Sequence, residues 1–354
     1  MDPIKEALTF DDVTLAPNYS EILPSETNTF TKLSNNLTLK IPLISSAMDT
    51  VTEGRMAATI AEKGGIGVIH RNLSIKKQID EIRKVKNKKF LVGAAVGASL
   101  EEHKRAERIL KENLDLIVVD TAHGHTKKVS EIIKKILKIK PKNTTLCAGN
   151  IATFEAAKFL INLGVDILKV GIGPGSICTT RLVAGIGVPQ ITAILEAKKA
   201  RKDKKVSIIA DGGIKFSGDI VKALVAGADA VMIGSLFAGS KETPGKIVKI
   251  KGKQYKGFRG MGSIGAMNKG SADRYFQKKQ SDNSKYVPEG VEGLVKYKGP
   301  VEKILFQLMG GLRSSMGYLG SKDISALKKN NRFVKITKAG FYESMVHNVD
   351  KLKI

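Results

Sequence analysis

The sequence predicts an α/β protein closed as a (β/α)8 TIM barrel, and three observations carry that expectation. Eight short apolar runs recur between residues 42 and 234. Amphipathic stretches separate them, and polar residues collect at their C-terminal ends. Continuous apolar runs denote strands buried on both faces, as in a parallel sheet. Eight repeats favour closure over an open, doubly wound sheet.

In order, the expected strands cover residues 42–49, 66–70, 91–96, 114–120, 145–150, 167–171, 206–211 and 230–234. Helices are expected to begin near Gly54, Ser74, Leu100, Thr126, Thr153, Ile191 and Ser217. Residues 240–299 interrupt the alternation. Their first part, 246–256, alternates like a hairpin, and a glycine-rich run follows from Gly257. A connection of about sixty residues exceeds what joining a strand to its helix needs, so a mobile lid is expected. The last barrel helix is expected over 300–309, continuing towards Tyr318, with a less regular tail after Ser321.

The 354 residues, 42% of them hydrophobic, suit one large barrel domain. No apolar run reaches bilayer length, and Met1-Asp-Pro-Ile-Lys-Glu6 has no basic-then-apolar leader. Two cysteines, Cys147 and Cys178, provide no disulfide framework, which fits a reducing cytoplasm. Lys and Arg number 59 against 34 Asp and Glu, a formal charge of +25. That excess raises a second class of reading, a basic nucleic-acid-binding protein. The basic residues are spread over helix faces without an aromatic-interleaved stripe, so solvated surfaces and weak non-specific attraction of anions are expected instead.

In a (β/α)8 barrel the active site lies at the C-terminal ends of the strands. Those ends carry Asp49, His70, Asp120, Asn150, Asp211-Gly-Gly213 and Gly234-Ser235. After the sixth strand comes Gly171-Ile-Gly-Pro-Gly-Ser-Ile-Cys178, a thiol in a glycine-rich loop. Such a loop turns tightly and exposes backbone polar groups, making Cys178 a candidate nucleophile as well as a cysteine in a tight turn. Loops after strands seven and eight recur as phosphate sites in this fold.

With those residues in view, the chain resembles the inosine 5′-monophosphate dehydrogenase family over essentially its whole length. The resemblance rests on Leu8-Thr-Phe-Asp-Asp-Val13, Ser45-Ser-Ala-Met-Asp-Thr-Val51, residues 171–190 and Ala210-Asp-Gly-Gly213. Arg259-Gly-Met-Gly-Ser263, Asp273-Arg-Tyr-Phe-Gln277 and Pro288-Glu-Gly290 extend it. It implies oxidation of IMP to XMP with NAD, through a covalent nucleotide on Cys178. Arg274 and Tyr275 of the lid would support hydrolysis, with Arg274 as general base and Thr180 assisting activation of water. A guanidinium is a poor base at its usual pKa of about 12 or more, so the base role requires a perturbing environment.

The resemblance also implies substrate contacts from Ser46, Met48, Ser176, Asp211, Gly213, Gly234, Ser235, Gly262 and Glu289. It assigns the cofactor to Asp120, Ala122, Asn150 and Gly171. A monovalent cation such as K⁺ is implied on carbonyls of Gly173, Gly175 and Cys178, completed near Glu343 and Ser344 of a neighbouring subunit in a homotetramer. GMP reductase is the near alternative, disfavoured by the Arg274-Tyr275 pair. Three departures stand out. The CBS module common in the family is missing near residues 86–90. Phe258 stands where a phosphate-contacting tyrosine is usual, so Phe258→Tyr is expected to lower the nucleotide KM. Phe306 and Met345 replace a tyrosine and a histidine.

Overall fold

The computed structural model describes residues 4–202, 204–329 and 332–346. Its centre is a closed barrel of eight parallel strands, which meets the expectation. The strands are β1 (Leu43–Ser45), β2 (Ile66–Ile69), β3 (Val92–Val96), β4 (Leu116–Asp120), β5 (Thr145–Ile151), β6 (Ile167–Val170), β7 (Ser207–Asp211) and β8 (Ala230–Ile233). Around them run α1 (Gly54–Glu62), α2 (Ile75–Lys86), α3 (Leu100–Ile109), α4 (Lys127–Ile139), α5 (Phe154–Leu163), α6 (Gln190–Arg201), α7 (Ser217–Ala226) and α8 (Val301–Tyr318).

Local chemistry sets the helix starts. Ser74, Ser99, Thr126 and Thr153 each accept an N–H from three residues ahead, which satisfies an otherwise orphaned first-turn donor. At the end of α5, Gly164 adopts φ 88°, where a side chain would be strained.

Strand parity divides the core in two. Ile44, Ile66, Val68, Leu116, Val118, Cys147, Ile167, Ile209 and Met232 form a cluster with Leu33, Leu37 and Leu39 of the N-terminal segment. The alternate residues, including Leu43, Ile69, Ile117, Val119, Leu168 and Val231, belong to a separate cluster with the helices. The first set therefore fills the lumen and the second the outer layer, as period-two strands require. The same parity carries Asp120, Lys169 and Asp211 to the lumen side at the upper end of their strands.

After β8 the chain forms an antiparallel sheet of β9 (Val248–Ile250), β10 (Lys253–Arg259) and β11 (Glu292–Lys296). The hairpin is the expected one; its third strand is supplied by the returning chain. Between β10 and β11 lies the flap, which contains the turn Ala272–Tyr275. The tail is more regular than its sequence suggests, because Phe333–Lys335 pairs antiparallel with Val13–Leu15. From α2 to β3 the chain needs only residues 87–91, with Lys89 at φ 59°.

Candidate active site

Three charged side chains meet in the upper lumen. Lys169 is buried, and its Nζ lies 2.8 Å from Asp120 Oδ1 and 2.7 Å from Asp211 Oδ2. It also donates to Asn150 Oδ1. Asn150 Nδ2 donates to Asp211 Oδ2 at 2.9 Å and to the Gly171 carbonyl at 2.7 Å. One ammonium thus links the ends of β4, β5 and β7. Burial alone would favour neutral lysine, but the two carboxylates overrule it and hold Lys169 above its usual range.

From the flap, Arg274 reaches into this group and pairs with Asp120. Burial by itself would raise the Asp120 carboxyl. The Arg274 and Lys169 cations outweigh it and hold that carboxyl well below the usual carboxylate range. In the same way burial would lower Arg274, yet Asp120 pushes it up. Burial also raises the Tyr275 phenol, which the neighbouring Arg274 partly counters. Arg274 is thus held as a cation here, the reverse of the perturbation a base would need.

Cys178 lines the same cavity as these groups. Its Sγ is 3.2 Å from Thr180 Oγ1, and its N–H donates to the Gly175 carbonyl at 3.2 Å. The cysteine loop is braced by the chain returning from the flap. Thr179 N–H donates to Glu289 O and Val291 N–H to Ile177 O, both at 3.0 Å. Gly171 must lack a side chain, because a Cβ there would meet the Asp211 carbonyl at 2.1 Å.

Most residues singled out in the sequence converge on this cavity. Ser46, Met48, Asp120, Ala122, Asn150, Gly171, Gly173, Gly175, Cys178, Thr180, Asp211, Arg274, Tyr275 and Glu289 all line it. Gly234 stands just behind, where a Cβ would lie 2.9 Å from both Ser46 Oγ and Met48 Sδ. Gly262 packs under Tyr275, and Gly213 against Phe10 and Pro174. Ser176, Ser235 and Phe258 are not among the lining residues; Ser176 is exposed and Phe258 is buried in the outer core. Glu343 and Ser344 close a short C-terminal helix, Lys338–Glu343, and are exposed on this single chain, away from the cavity lining.

Sequence reasoning missed Lys169 and also Arg71, a buried guanidinium just beyond β2 that pairs with Asp273 of the flap. A lone lysine inside Ile167-Leu-Lys-Val170, in phase with an inward-facing isoleucine, was the available signal for the first. For Arg71 there was only its position beyond a strand end.

A family model described as the IMP dehydrogenase / GMP reductase domain matches residues 7–347. The chain belongs to that family. Inosine-5′-monophosphate dehydrogenase of Borreliella burgdorferi is 49% identical over 395 residues, covering 98% of this chain and 98% of the relative. The enzyme of the same name from Cryptosporidium parvum is 48% identical over 394 residues, covering 99% and 97%. That of Aquifex aeolicus is 40% identical over 475 residues, covering 98% and 96%. Since the chain has 354 residues, the family member from Aquifex carries segments with no counterpart here.

Proposed function

We propose that this chain oxidises IMP to XMP with NAD in guanine nucleotide synthesis, in two half-reactions at one cavity. The observation that carries this reading is that Cys178, Asp211 and the Arg274-Tyr275 turn all face that cavity. In the first half, the Cys178 thiolate attacks C2 of the purine, forming an S–C2 bond. NAD, when bound, accepts the hydride released from C2. In the second half, water adds at C2, one of its protons passes to N3 and the other is carried out of the site, and the S–C2 bond breaks with Cys178 leaving as thiolate and XMP as product. Splitting the reaction this way is the usual gain of covalent catalysis.

Asp211 is suited to the ribose hydroxyls of the nucleotide, because an ionised carboxylate accepts two hydrogen bonds. Lys169 bridges the Asp211 and Asp120 carboxylates and, with Arg274, holds Asp120 ionised. Ser46, Met48, Gly234 and Glu289 surround the nucleotide, with Ser176, Gly213, Ser235 and Gly262 completing its phosphate and base contacts. Asp120, with Ala122, Asn150 and Gly171, fits the cofactor ribose as a buried carboxylate at the lumen edge. The Arg274 turn uses the same groups: Arg274 pairs with Asp120, and Ala122 N–H donates to the Arg274 carbonyl at 3.2 Å. Cofactor and flap therefore take turns at Asp120. While paired there, Arg274 acts as a cation that steadies negative charge on the attacking water; accepting a proton requires that pair to part. Thr180, beside Cys178, relays the water proton.

Carbonyls of Gly173, Gly175 and Cys178 form a hard-oxygen donor set that suits K⁺. Glu343 and Ser344, exposed on the single chain, are available to complete it from a neighbour in a homotetramer. The short passage from α2 to β3 supports a single-domain enzyme without the CBS module. Among the described residues no helix is long and apolar enough to cross a membrane.

Mass spectrometry of the protein mixed with IMP and NAD tests the reading. A nucleotide adduct is expected on Cys178 and absent from Cys178→Ala, which still binds IMP. NADPH-dependent consumption of GMP, with no adduct formed from IMP, would establish the reductase instead.

A further inference from the structure

We propose that Arg71 is a positioning residue, a latch that holds the flap closed by gripping Asp273, the residue next to Arg274. Arg71 follows β2 and its side chain is only 5% exposed. Its Nη2 is 2.6 Å from Asp273 Oδ1 and its Nη1 3.3 Å from Oδ2, a two-pronged pair of the kind a guanidinium makes with a carboxylate. The barrel side of the latch is built firmly. Gly97 packs close against it: a Cβ there would lie 3.0 Å from Arg71 Cζ and 3.1 Å from Asp273 Oδ2, so a side chain would press on the pair.

Behind Arg71 stands Glu102, with an 8% exposed side chain, 4.0 Å from Nη1. Glu102 is satisfied independently, by the Gly97 N–H at 2.6 Å and by Arg105 Nε at 2.9 Å. Arg105 in turn donates to the Leu73 carbonyl and to Gln78 Oε1, both at 3.0 Å. Glu102 therefore does not need Arg71, and the arginine is free to engage the flap. The next residue helps: Asn72 Nδ2 donates to the Ala266 carbonyl at 3.3 Å, at the start of the flap.

The flap side differs. Asp273 is 39% exposed, so water can replace Arg71 at modest cost when the turn lifts. Asp273 and Arg274 are neighbours in one short turn, and they grip two separate barrel loci, Arg71 beyond β2 and Asp120 at the end of β4. Arg71 lies outside the residues lining the cavity, so it acts on the chemistry only by biasing where Arg274 stands.

Two readouts test this, and only the second rests on the proposed two-step reaction. The first is hydrogen exchange of the ligand-free protein. In Arg71→Met and in Asp273→Asn, amides of residues 272–277 and of Ala122 are expected to exchange about ten to a hundred times faster, the factor for one hydrogen bond to a charged group. Exchange in the barrel strands stays unchanged. Arg71→Lys, which keeps the charge but loses the fork, falls between. Asp273→Asn alters a half-exposed flap residue and so keeps the test open if Arg71→Met does not fold.

The second readout mixes enzyme with IMP and NAD. Both variants are expected to give a full first-turnover burst of NADH, then a lowered steady-state rate with the Cys178 adduct accumulating by mass. Unchanged exchange of 272–277 in both variants overturns the latch, as does a burst that falls in parallel with turnover. If even the unaltered protein forms neither NADH nor adduct, the reaction assigned above fails, while the exchange result still decides the latch.

Discussion

The Arg274 guanidinium lies against the Asp120 carboxylate, and the two side chains are only 12% and 6% exposed. One buried carboxylate thereby faces a flap residue from above and a lumen residue, Lys169, from beside it. Asp120→Asn removes the charge while keeping the size. The expected outcome is a KM for NAD raised roughly tenfold or more, from a weakened hydrogen bond to the ribose, together with a slower second half-reaction. Steady-state kinetics with varied NAD check it; an unchanged KM would remove Asp120 from the cofactor site.

Lys169 is the second target. Lys169→Met leaves Asp120 with Arg274 as its cation and Asp211 with only the Asn150 amide, both carboxylates in the upper lumen. Breaking a buried pair by deleting one partner costs about 3–5 kcal/mol. Urea unfolding is expected to show a loss of that order, and IMP affinity to fall as Asp211 loses its orientation. A stability change below about 1 kcal/mol would mean that the lumen charges do not depend on Lys169.

A pH prediction follows from Asp49 at the end of the first strand loop. Arg259 Nε and Nη2 approach its two oxygens at 3.0 and 2.6 Å, and Asn72 donates at 3.1 Å. Burial alone would raise this carboxyl; the hydrogen bonds from Arg259 and Asn72 outweigh it and depress it. A depressed carboxyl contributes stability that is full above its unfolded pKa of about 3.9 and lost as pH falls through the lower folded value. The stability difference between the unaltered protein and Asp49→Asn should be constant from neutral pH to about pH 5, then shrink on acidification. A difference that grows towards acid would contradict the pairing.

The cation proposal has its own check. Replacing K⁺ by tetramethylammonium at equal ionic strength should lower turnover severalfold, since a bulky organic ion cannot be held by the carbonyls of Gly173, Gly175 and Cys178. Equal rates in both salts would remove the cation from the cysteine loop.

The barrel was legible because parallel strands buried on both faces leave unbroken apolar runs, and Thr126 and Thr153 mark helix starts by a local hydrogen bond. Cys178, Asp211 and Arg274 were singled out by type and motif, and the fold brings them to one cavity. Lys169 escaped because a single charge inside Ile167-Leu-Lys-Val170 is read as noise unless strand parity is followed inward from Ile167. Arg71–Asp273 could not be read at all, since it joins residues 202 positions apart whose meeting depends on how the flap lies across the barrel. The strand at 333–335 was missed for a similar reason: its partner, Val13–Leu15, lies at the far end of the chain.

The five residues joining α2 to β3 have a practical consequence. Asn87, Lys88 and Lys89 are solvent-exposed, and they join a helix to a strand of the closed barrel. They form a permissive splice point on the rim opposite the chemistry. A reporter or ligand-sensing domain grafted there would leave the hydrogen-bond ladder intact, which turns this chain into a chassis for building switchable versions of its own reaction.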